Sequence, residues 1–243
     1  MLKYSFLTNI GSRAVNEDSI GAYENNGNYG FIVCDGLGGH GMGDAASQCV
    51  RDVFKDQFYK TYDMVNFIGQ TFMAGQQILL MEQQERHAGH KMKTTAVALV
   101  TDEKKAYIGH VGDSRLYIFS KNKVRARTLD HSIPQMMVLS RQLKEKEIRY
   151  HPERNIVLRV MGIEWEEPMY ELMAPIDLKK CQAFLLCTDG FWELIEEEEM
   201  CNLLKKSDSP EAWLSEMQNV IRANGIGKNM DNYSAVAVWN IRK

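Results

Sequence analysis

Short apolar runs, each bounded by polar or glycine-containing turns, recur along the chain and predict β-strands. Two lie near the N-terminus at residues 3–9 and 19–23, and a third, FIVC, covers residues 31–34. Three β-rich runs, TAVALV, KAYIGHV and RLYIFS, follow one another within residues 95–120, and their short connections predict an antiparallel meander. The late runs QAFLLC and YSAVAVWNI supply two more strands.

Apolar residues at helical spacing predict amphipathic helices at about residues 44–58 and 67–86. A further helix begins at Ser209 and Pro210, because serine is a good N-cap and proline suits the first helical position. The acidic residues 196–199 favour another helix start through the helix dipole. Strand-rich blocks interleaved with helical blocks predict an α+β fold, in which sheets pack together and helices cover their outer faces.

Composition narrows the classes of protein and partner. The 243 residues are 44% hydrophobic and 25% charged, and no Pro-rich or Gly/Ser-rich linker divides them, which indicates one domain. A net charge of −3 provides no global basic field, so neither nucleic acid nor a membrane is expected as a partner. The N-terminus turns polar too early for a signal peptide, so we expect a cytoplasmic protein. Five cysteines without a C-x-x-C pair indicate buried, reduced thiols.

Glycines at positions 36, 38 and 41 spell G-x-G-x-x-G after a strand-like run and before a predicted helix. This context is the one that a dinucleotide-binding turn requires, so an oxidoreductase is one hypothesis. Asp35 opposes it, because a carboxylate at the end of the strand would face the pyrophosphate with like charge. No second strand ending in an acid follows the helix either, so the dinucleotide hypothesis is the weaker one.

Four aspartates stand at predicted strand ends or turns beside glycine, serine or asparagine: Asp35, Asp113, Asp189 and Asp231. A single aspartate in such a place is usually a turn former. Four of them after apolar runs indicate oxygen ligands for a hard cation at the rim of a sheet. If they converge, their mutual repulsion requires a bound metal or shifted pKa values.

Seven motifs in sequence order extend this pattern over nearly the whole chain, and together they resemble the type 2C, metal-dependent serine/threonine protein phosphatases, in particular the compact bacterial members. The motifs are RAVNED from Arg13, VCDGLGGH from Val33, TTAV from Thr94, GHVGDSRLY from Gly109, DHS from Asp130, LCTDG from Leu186 and DNYS from Asp231. The resemblance implies a four-layer α-β-β-α sandwich with two central antiparallel sheets, formed by residues 1–243 as a single catalytic domain.

The same resemblance implies a cluster of two Mn²⁺ or Mg²⁺ ions at one edge of the sheets. Asp35 would bridge both ions, with Asp189 and Asp231 on one ion and the Gly36 carbonyl on the other. These three aspartates are therefore the expected catalytic residues. The bridged ions would activate a water for in-line attack on phosphorus.

Four further assignments follow from the resemblance. Glu17 and Asp18 would hold metal-bound waters, and Asp113 would bind a weaker third ion together with Asp189. Arg13 would bind two phosphate oxygens, a bidentate geometry that lysine cannot reproduce. The expected partners are phosphorylated proteins, including a serine/threonine kinase or its targets, and a monomer is expected.

Two features depart from the family pattern or extend it. Leu37 replaces a histidine that eukaryotic relatives offer as an acid, and His40 in the same loop is not assigned a catalytic role. Residues 135–155 correspond to the flap that borders the active site in bacterial relatives, although a charged, solvated helix and loop is the default interpretation. The alternative function is a non-catalytic, phosphatase-like sensor or scaffold, which has no need for a cluster of repelling carboxylates.

Overall fold

The computed structural model describes residues 2–37, 41–61 and 63–241. Within these ranges the strands are β1 (Leu2–Asn9), β2 (Asp18–Asn25), β3 (Asn28–Asp35), β4 (Ala96–Thr101), β5 (Lys105–Val111), β6 (Arg115–Ser120), β7 (Lys123–Arg127), β8 (Glu171–Leu172), β9 (Ile176–Asp177), β10 (Ala183–Cys187) and β11 (Tyr233–Asn240). The helices are α1 (Gly43–Phe58), α2 (Phe67–Glu85), α3 (Ile133–Leu139), α4 (Asp189–Trp192), α5 (Glu197–Lys206) and α6 (Pro210–Asn224).

The strands form two antiparallel sheets. The first sheet has the order β1-β11-β10-β6-β7, and the second has the order β2-β3-β4-β5-β8, with β9 also paired to β5. The predicted meander is therefore wrong in its third strand, because β6 leaves β5 and pairs with β10 in the other sheet. Both faces of β6 are buried, so its apolar pattern carries no information about which sheet it joins.

Three apolar layers hold the sheets and helices together. Between the sheets, alternate side chains such as Phe31 and Val33 of β3 meet Leu186 of β10. The outer face of the second sheet packs under α1 and α2, and that of the first sheet packs under α4, α5 and α6. This arrangement is the predicted α-β-β-α sandwich, and it leaves the strand ends free at the edges of the sheets.

The predicted helices are confirmed, including α5, whose first turn contains three glutamates. In α6, Ser209 accepts a hydrogen bond from the Ala212 N–H at 3.1 Å, as expected of an N-cap. Cys34, Cys49, Cys181 and Cys187 are buried, as predicted, whereas the prediction is wrong for Cys201 on α5, which is only half-buried. No helix of the described residues is both long enough and apolar enough to cross a bilayer.

Residues 135–155 are more firmly packed than a solvated segment. They contain most of α3 and a 3₁₀ turn at Glu145–Tyr150. Arg149 in that turn is buried and donates to the carbonyls of Trp192 and Ile195, at 2.7 and 2.8 Å, and to the Glu197 carboxylate. The expectation of a wholly solvated segment is therefore wrong at Arg149, because the chain provides acceptors for its guanidinium beneath the surface.

Candidate metal and phosphate site

Strand ends from both sheets bring a group of aspartates together at one edge of the sandwich. Asp35 ends β3, and Asp18 lies directly opposite it at the start of β2. Asp189 follows β10 and opens α4, and Asp231 lies two residues before β11. Asp35 and Asp189 come from different sheets, and the charge of Asp189 is close enough to raise the pKa of Asp35.

The backbone around Asp35 is held by the paired threonines that immediately precede β4. The Asp35 carbonyl accepts hydrogen bonds from the Thr95 N–H and the Thr94 hydroxyl, each at 2.9 Å, and the Asp35 N–H donates to the Thr95 hydroxyl at 3.1 Å. The next residue, Gly36, is so close to α1 that an added Cβ would lie 2.2 Å from the Gly43 carbonyl oxygen. Glycine at this position therefore allows the strand end to approach the helix start.

Loss of hydration raises the pKa of each carboxyl group at the centre of the cluster, and the neighbouring charges add to the effect. Burial, followed by the charges of Asp189 and Asp18, raises the pKa of Asp35 well above its ordinary value. Burial and Asp189 raise the pKa of Asp18 to about 7. Burial and then Asp231 raise the pKa of Asp189. Positive charge placed among these groups would reverse this tendency.

Asp113 reaches the same cluster from the turn between β5 and β6. It is only 3% exposed, and burial together with the charge of Asp189 raises the pKa of its carboxyl group well above the ordinary value. Its backbone carbonyl accepts a hydrogen bond from the Trp192 indole N–H at 3.1 Å. The structure therefore brings all four aspartates singled out in the sequence into one electrostatically connected group.

The segment before β2 brings Arg13 and Glu17 to the rim of the cluster. The Arg13 guanidinium, 48% exposed, forms an ion pair with Asp231 at 2.7 Å. Asn232 fixes this segment, since its side-chain amide donates to the Val15 carbonyl and accepts from the Glu17 N–H. Burial raises the pKa of Glu17 as well. The Arg13 guanidinium, with N–H donors that are not used in the pair with Asp231, thus lies at the solvent-exposed side of the carboxylate cluster.

Two residues at the site were not singled out from the sequence. Glu193 lies one helical turn after Asp189, and burial together with the Asp189 charge raises its pKa to about 7. Arg154, from the segment that precedes β8, lies 2.9 Å from the Glu193 carboxylate. The spacing of four between Asp189 and Glu193 was a signal that could have pointed to Glu193. Nothing local in the sequence places Arg154.

The glycine pattern after β3 does not form a dinucleotide site. The neighbours of β3 are β2 and β4, and both pair with it antiparallel, whereas a dinucleotide turn belongs to a parallel βαβ unit. Gly38, Gly39 and His40 lie outside the described residues. The adjacent Leu37 is half-buried and carries no titratable group.

The donor set fits hard divalent cations. Its members are carboxylate oxygens, the ligand type that Mg²⁺ and Mn²⁺ favour. Asp18 Oδ2 accepts from the Thr188 hydroxyl at 3.1 Å, whereas Asp18 Oδ1 is buried and has no partner among the described residues. A buried, unpaired carboxylate oxygen is costly unless a cation or its water satisfies it.

Comparison with known proteins gives a family match over most of the chain. The model of the family described as protein phosphatase 2C matches residues 8–233. The serine/threonine phosphatase stp of Listeria welshimeri is 31% identical over 233 residues, covering 92% of this chain and 89% of that protein.

Solved structures agree with this match. The serine/threonine phosphatase Stp1 of Staphylococcus aureus superposes with a TM-score of 0.90 at 28% identity, covering 100% of this chain and 96% of that one. The catalytic domain of the phosphatase PstP, solved in complex with two manganese ions, has the same fold, with a TM-score of 0.80 at 22% identity and 99% coverage of both chains.

Proposed function

Because the chain belongs to the protein phosphatase 2C family, we propose that it hydrolyses phosphoserine and phosphothreonine in phosphorylated proteins by metal-dependent attack of water. The observation that carries the proposal is the convergence of Asp35, Asp189 and Asp231 at one sheet edge beside the exposed guanidinium of Arg13. The groups that would bind the cations and the group that would bind the phosphate therefore lie within one site.

The carboxylate cluster would hold two Mn²⁺ or Mg²⁺ ions. Asp35 would contact both ions, Asp189 and Asp231 would contact one, and the Gly36 carbonyl would contact the other. When bound, such ions lower the pKa of water and neutralise charge on phosphoryl oxygens. The manganese ions of the similarly folded PstP domain support this choice of metal.

Three further acidic residues would complete the metal site. Glu17 and Asp18 would accept hydrogen bonds from water at the ions, and the unpaired Oδ1 of Asp18 supports this role. Asp113, with Asp189, would hold a weaker third ion. The electrostatic contact between these two carboxyl groups supports that assignment.

The chain's own residues bind and orient the phosphate group. Arg13 would donate two hydrogen bonds to phosphoryl oxygens, and its pairing with Asp231 keeps it beside the cluster. Leu37 has no proton to give to the leaving serine or threonine oxygen. Because water attacks phosphorus directly in this scheme, no serine, cysteine or histidine acts as a nucleophile and no covalent phosphoenzyme forms.

The substrates would be phosphoproteins, among them a serine/threonine kinase or its targets. We place the enzyme in the cytoplasm of a bacterium, as a monomer that acts in signalling without binding nucleic acid or a membrane. Residues 135–155 would act as the flap that borders the site. A sensor or scaffold is the less favoured function, because a binding module gains nothing from carboxyl groups that repel one another.

The test is phosphate release from a phosphothreonine peptide by the purified protein, with Mn²⁺ and then with EDTA. We expect release only with the metal, and we expect Asp189→Asn to abolish it. Asp208→Asn is the matched control, because it removes the same charge from an exposed turn between α5 and α6. The control should retain full activity.

Each outcome decides a different point. Absence of phosphate release by the wild-type protein with any divalent ion would overturn the proposed activity. Full activity in Asp189→Asn, with release still dependent on metal, would overturn the assignment of the site and leave the activity in place. Thermal unfolding of each variant checks that a lost activity does not reflect a lost fold.

A further inference from the structure

His131 lies outside the carboxylate cluster but holds the backbone that carries Asp113. Its main-chain N–H donates to the Gly112 carbonyl at 2.9 Å, and its ring Nδ1 accepts from the Gly112 N–H at 3.1 Å. Both hydrogen bonds therefore go to the residue immediately before Asp113. His131 is only 7% exposed, so water does not compete well for these bonds.

The backbone of Gly112 can adopt few other conformations if the hydrogen bonds to His131 are lost. Its φ angle is +104°, a region that favours glycine, and an added Cβ would lie 2.5 Å from Thr95 Cβ. On the other side, the Trp192 indole fixes the Asp113 carbonyl. The turn that presents Asp113 is thus held by His131 at the two peptide groups that flank Gly112 and by Trp192 at the following peptide group.

The neighbours of His131 in the D-H-S motif hold the ring in place. Asp130 forms a buried bidentate pair with Arg115, at 2.8 and 2.6 Å. Ser132 is the N-cap of α3. The His110 ring stacks on the His131 ring with a centroid distance of 4.6 Å, and His110 Nε2 bonds the Leu129 carbonyl at 2.7 Å. The histidine is therefore built into a rigid support.

The two imidazoles lie close enough to the Glu171 carboxylate to suggest a separate metal site, with ligand atoms within 4.8 Å of one another. The hydrogen bond to Gly112 opposes this, because Nδ1 must keep its lone pair and the neutral ring then carries its proton on Nε2. A metal on Nε2 would need the proton on Nδ1, facing the Gly112 N–H. Burial and the neighbouring His110 also lower the pKa of His131 to about 3, which keeps the ring neutral.

We infer that His131 is a positioning residue for the weaker third metal ion of the proposed phosphatase, acting through Gly112 on the carboxylate of Asp113. It touches neither substrate nor metal. Its Nδ1 accepts a hydrogen bond from the Gly112 N–H, so the position of this one acceptor atom should matter. If packing alone held the turn, a side chain of similar size without that acceptor would serve equally well. The inference rests on the proposed function, since that function assigns Asp113 to the third ion.

The experiment measures Mn²⁺ binding by isothermal titration calorimetry, without substrate. In His131→Leu we expect two stronger sites to be kept and the third to weaken by about tenfold, the size expected from one lost buried hydrogen bond. In His131→Asn, the amide Oδ1 takes the place of Nδ1, so the third site should return to within about threefold of the wild-type affinity. Glu171→Gln is the control, and its binding should not change.

Two further variants separate positioning from folding. In His131→Gln the side chain is polar, but its amide oxygen lies one methylene farther from the backbone than the asparagine oxygen does. This variant should therefore bind Mn²⁺ as weakly as His131→Leu, and it replaces His131→Leu if that variant does not fold. In an Asp113→Ala background, His131→Leu should have no further effect on Mn²⁺ binding, because the ligand that it positions is gone.

The inference would be overturned by two Mn²⁺ sites in the wild-type protein, by an unchanged third site in both loss variants, or by His131→Asn binding as weakly as His131→Leu. Parallel assays of phosphate release keep the two proposals apart. If the wild-type protein releases no phosphate but the variants still differ in Mn²⁺ binding, the proposed function fails and the role of His131 stands.

Discussion

Asp18 and Asp35 lie directly opposite each other on β2 and β3, so two acidic side chains share one rung of an antiparallel ladder. Like charges in that relationship destabilise a sheet. The rung also lies at the edge where Asp189 arrives from the other sheet. The carboxylates of the site therefore repel one another in the folded protein, and a bound cation would reduce that repulsion. The stability of the protein should accordingly depend on both pH and metal.

Asp18→Asn should make the metal-free protein less sensitive to pH. The pKa of Asp18 rises from 3.8 to about 7 on folding, so between these values the native state binds more protons than the unfolded state. The free energy of unfolding therefore falls as the pH rises through this window. We expect the melting temperature in EDTA to fall between about pH 4 and about pH 7, and to fall less in the variant.

Asp208→Asn is the control for that measurement, because it removes an exposed carboxylate far from the cluster along the chain. Its melting temperature should follow the wild-type pH dependence. Identical pH profiles for wild type and Asp18→Asn would show that Asp18 is not the group that titrates.

Arg13→Ala should raise KM for a phosphothreonine peptide by about tenfold, with a smaller change in kcat, because it removes charge-assisted hydrogen bonds to the phosphate. Arg13→Lys should restore only part of the loss, since an ammonium group cannot bind two oxygens in a fork. Steady-state kinetics in the presence of Mn²⁺ measure both parameters.

Arg51→Ala is the matched control for Arg13. Arg51 pairs with its neighbour Asp52 on α1 at 2.9 Å, away from the strand ends. Its KM should equal that of the wild type. An unchanged KM in Arg13→Ala would mean that another cation binds the phosphate, and Arg154 beside Glu193 would be the next candidate.

The sequence was informative where function depends on local features. Asp35, Asp113 and Asp189 each come at or just after the end of an apolar run and precede a small residue, so their places at strand ends could be predicted. The place of Gly36 could be predicted as well, because a small residue is needed where the end of β3 approaches the start of α1. These residues are among those that the structure brings together.

Long-range pairing could not be predicted in the same way. The sheet to which β6 belongs is decided by its contact with β10, about 70 residues later in the chain, and both of its faces are apolar. The pairing of Arg154 with Glu193 also joins distant segments. Burial of Arg149 depends on one carbonyl at the end of α4 and one three residues beyond it, and no local sequence pattern predicts such acceptors.

Asp130→Ala should destabilise the fold by about 3–5 kcal/mol, because the buried Arg115 guanidinium loses its bidentate carboxylate partner and keeps, among the described residues, only that of Glu197, at 3.6 Å. Both side chains are nearly inaccessible, at 3% exposure for Arg115 and 1% for Asp130, and Arg115 also stacks 3.5 Å from the Trp192 ring centre. Urea unfolding of the metal-free protein gives the change in free energy. Arg115→Met combined with Asp130→Ala should cost less than Asp130→Ala alone.

Asp52→Ala provides the comparison for a surface pair. Its partner Arg51 remains hydrated, so the loss should be below about 1 kcal/mol. An equal, small loss in Asp130→Ala and Asp52→Ala would show that the buried pair contributes no more than an exposed one, and the support that we assign to the D-H-S motif would then be wrong.

Gly112→Ala should destabilise the protein more than Gly27→Ala, although both glycines have positive φ angles, +104° and +80°. The strain of a left-handed residue costs about 1–2 kcal/mol at either position. A Cβ at Gly27 meets nothing within 4 Å, whereas at Gly112 it overlaps Thr95. The excess loss in Gly112→Ala therefore measures packing at the turn before Asp113, and urea unfolding of both variants gives it. Equal losses would mean that the turn can move away from Thr95, and then the hydrogen bond that the Gly112 N–H donates to His131 would not suffice to hold Asp113 in place.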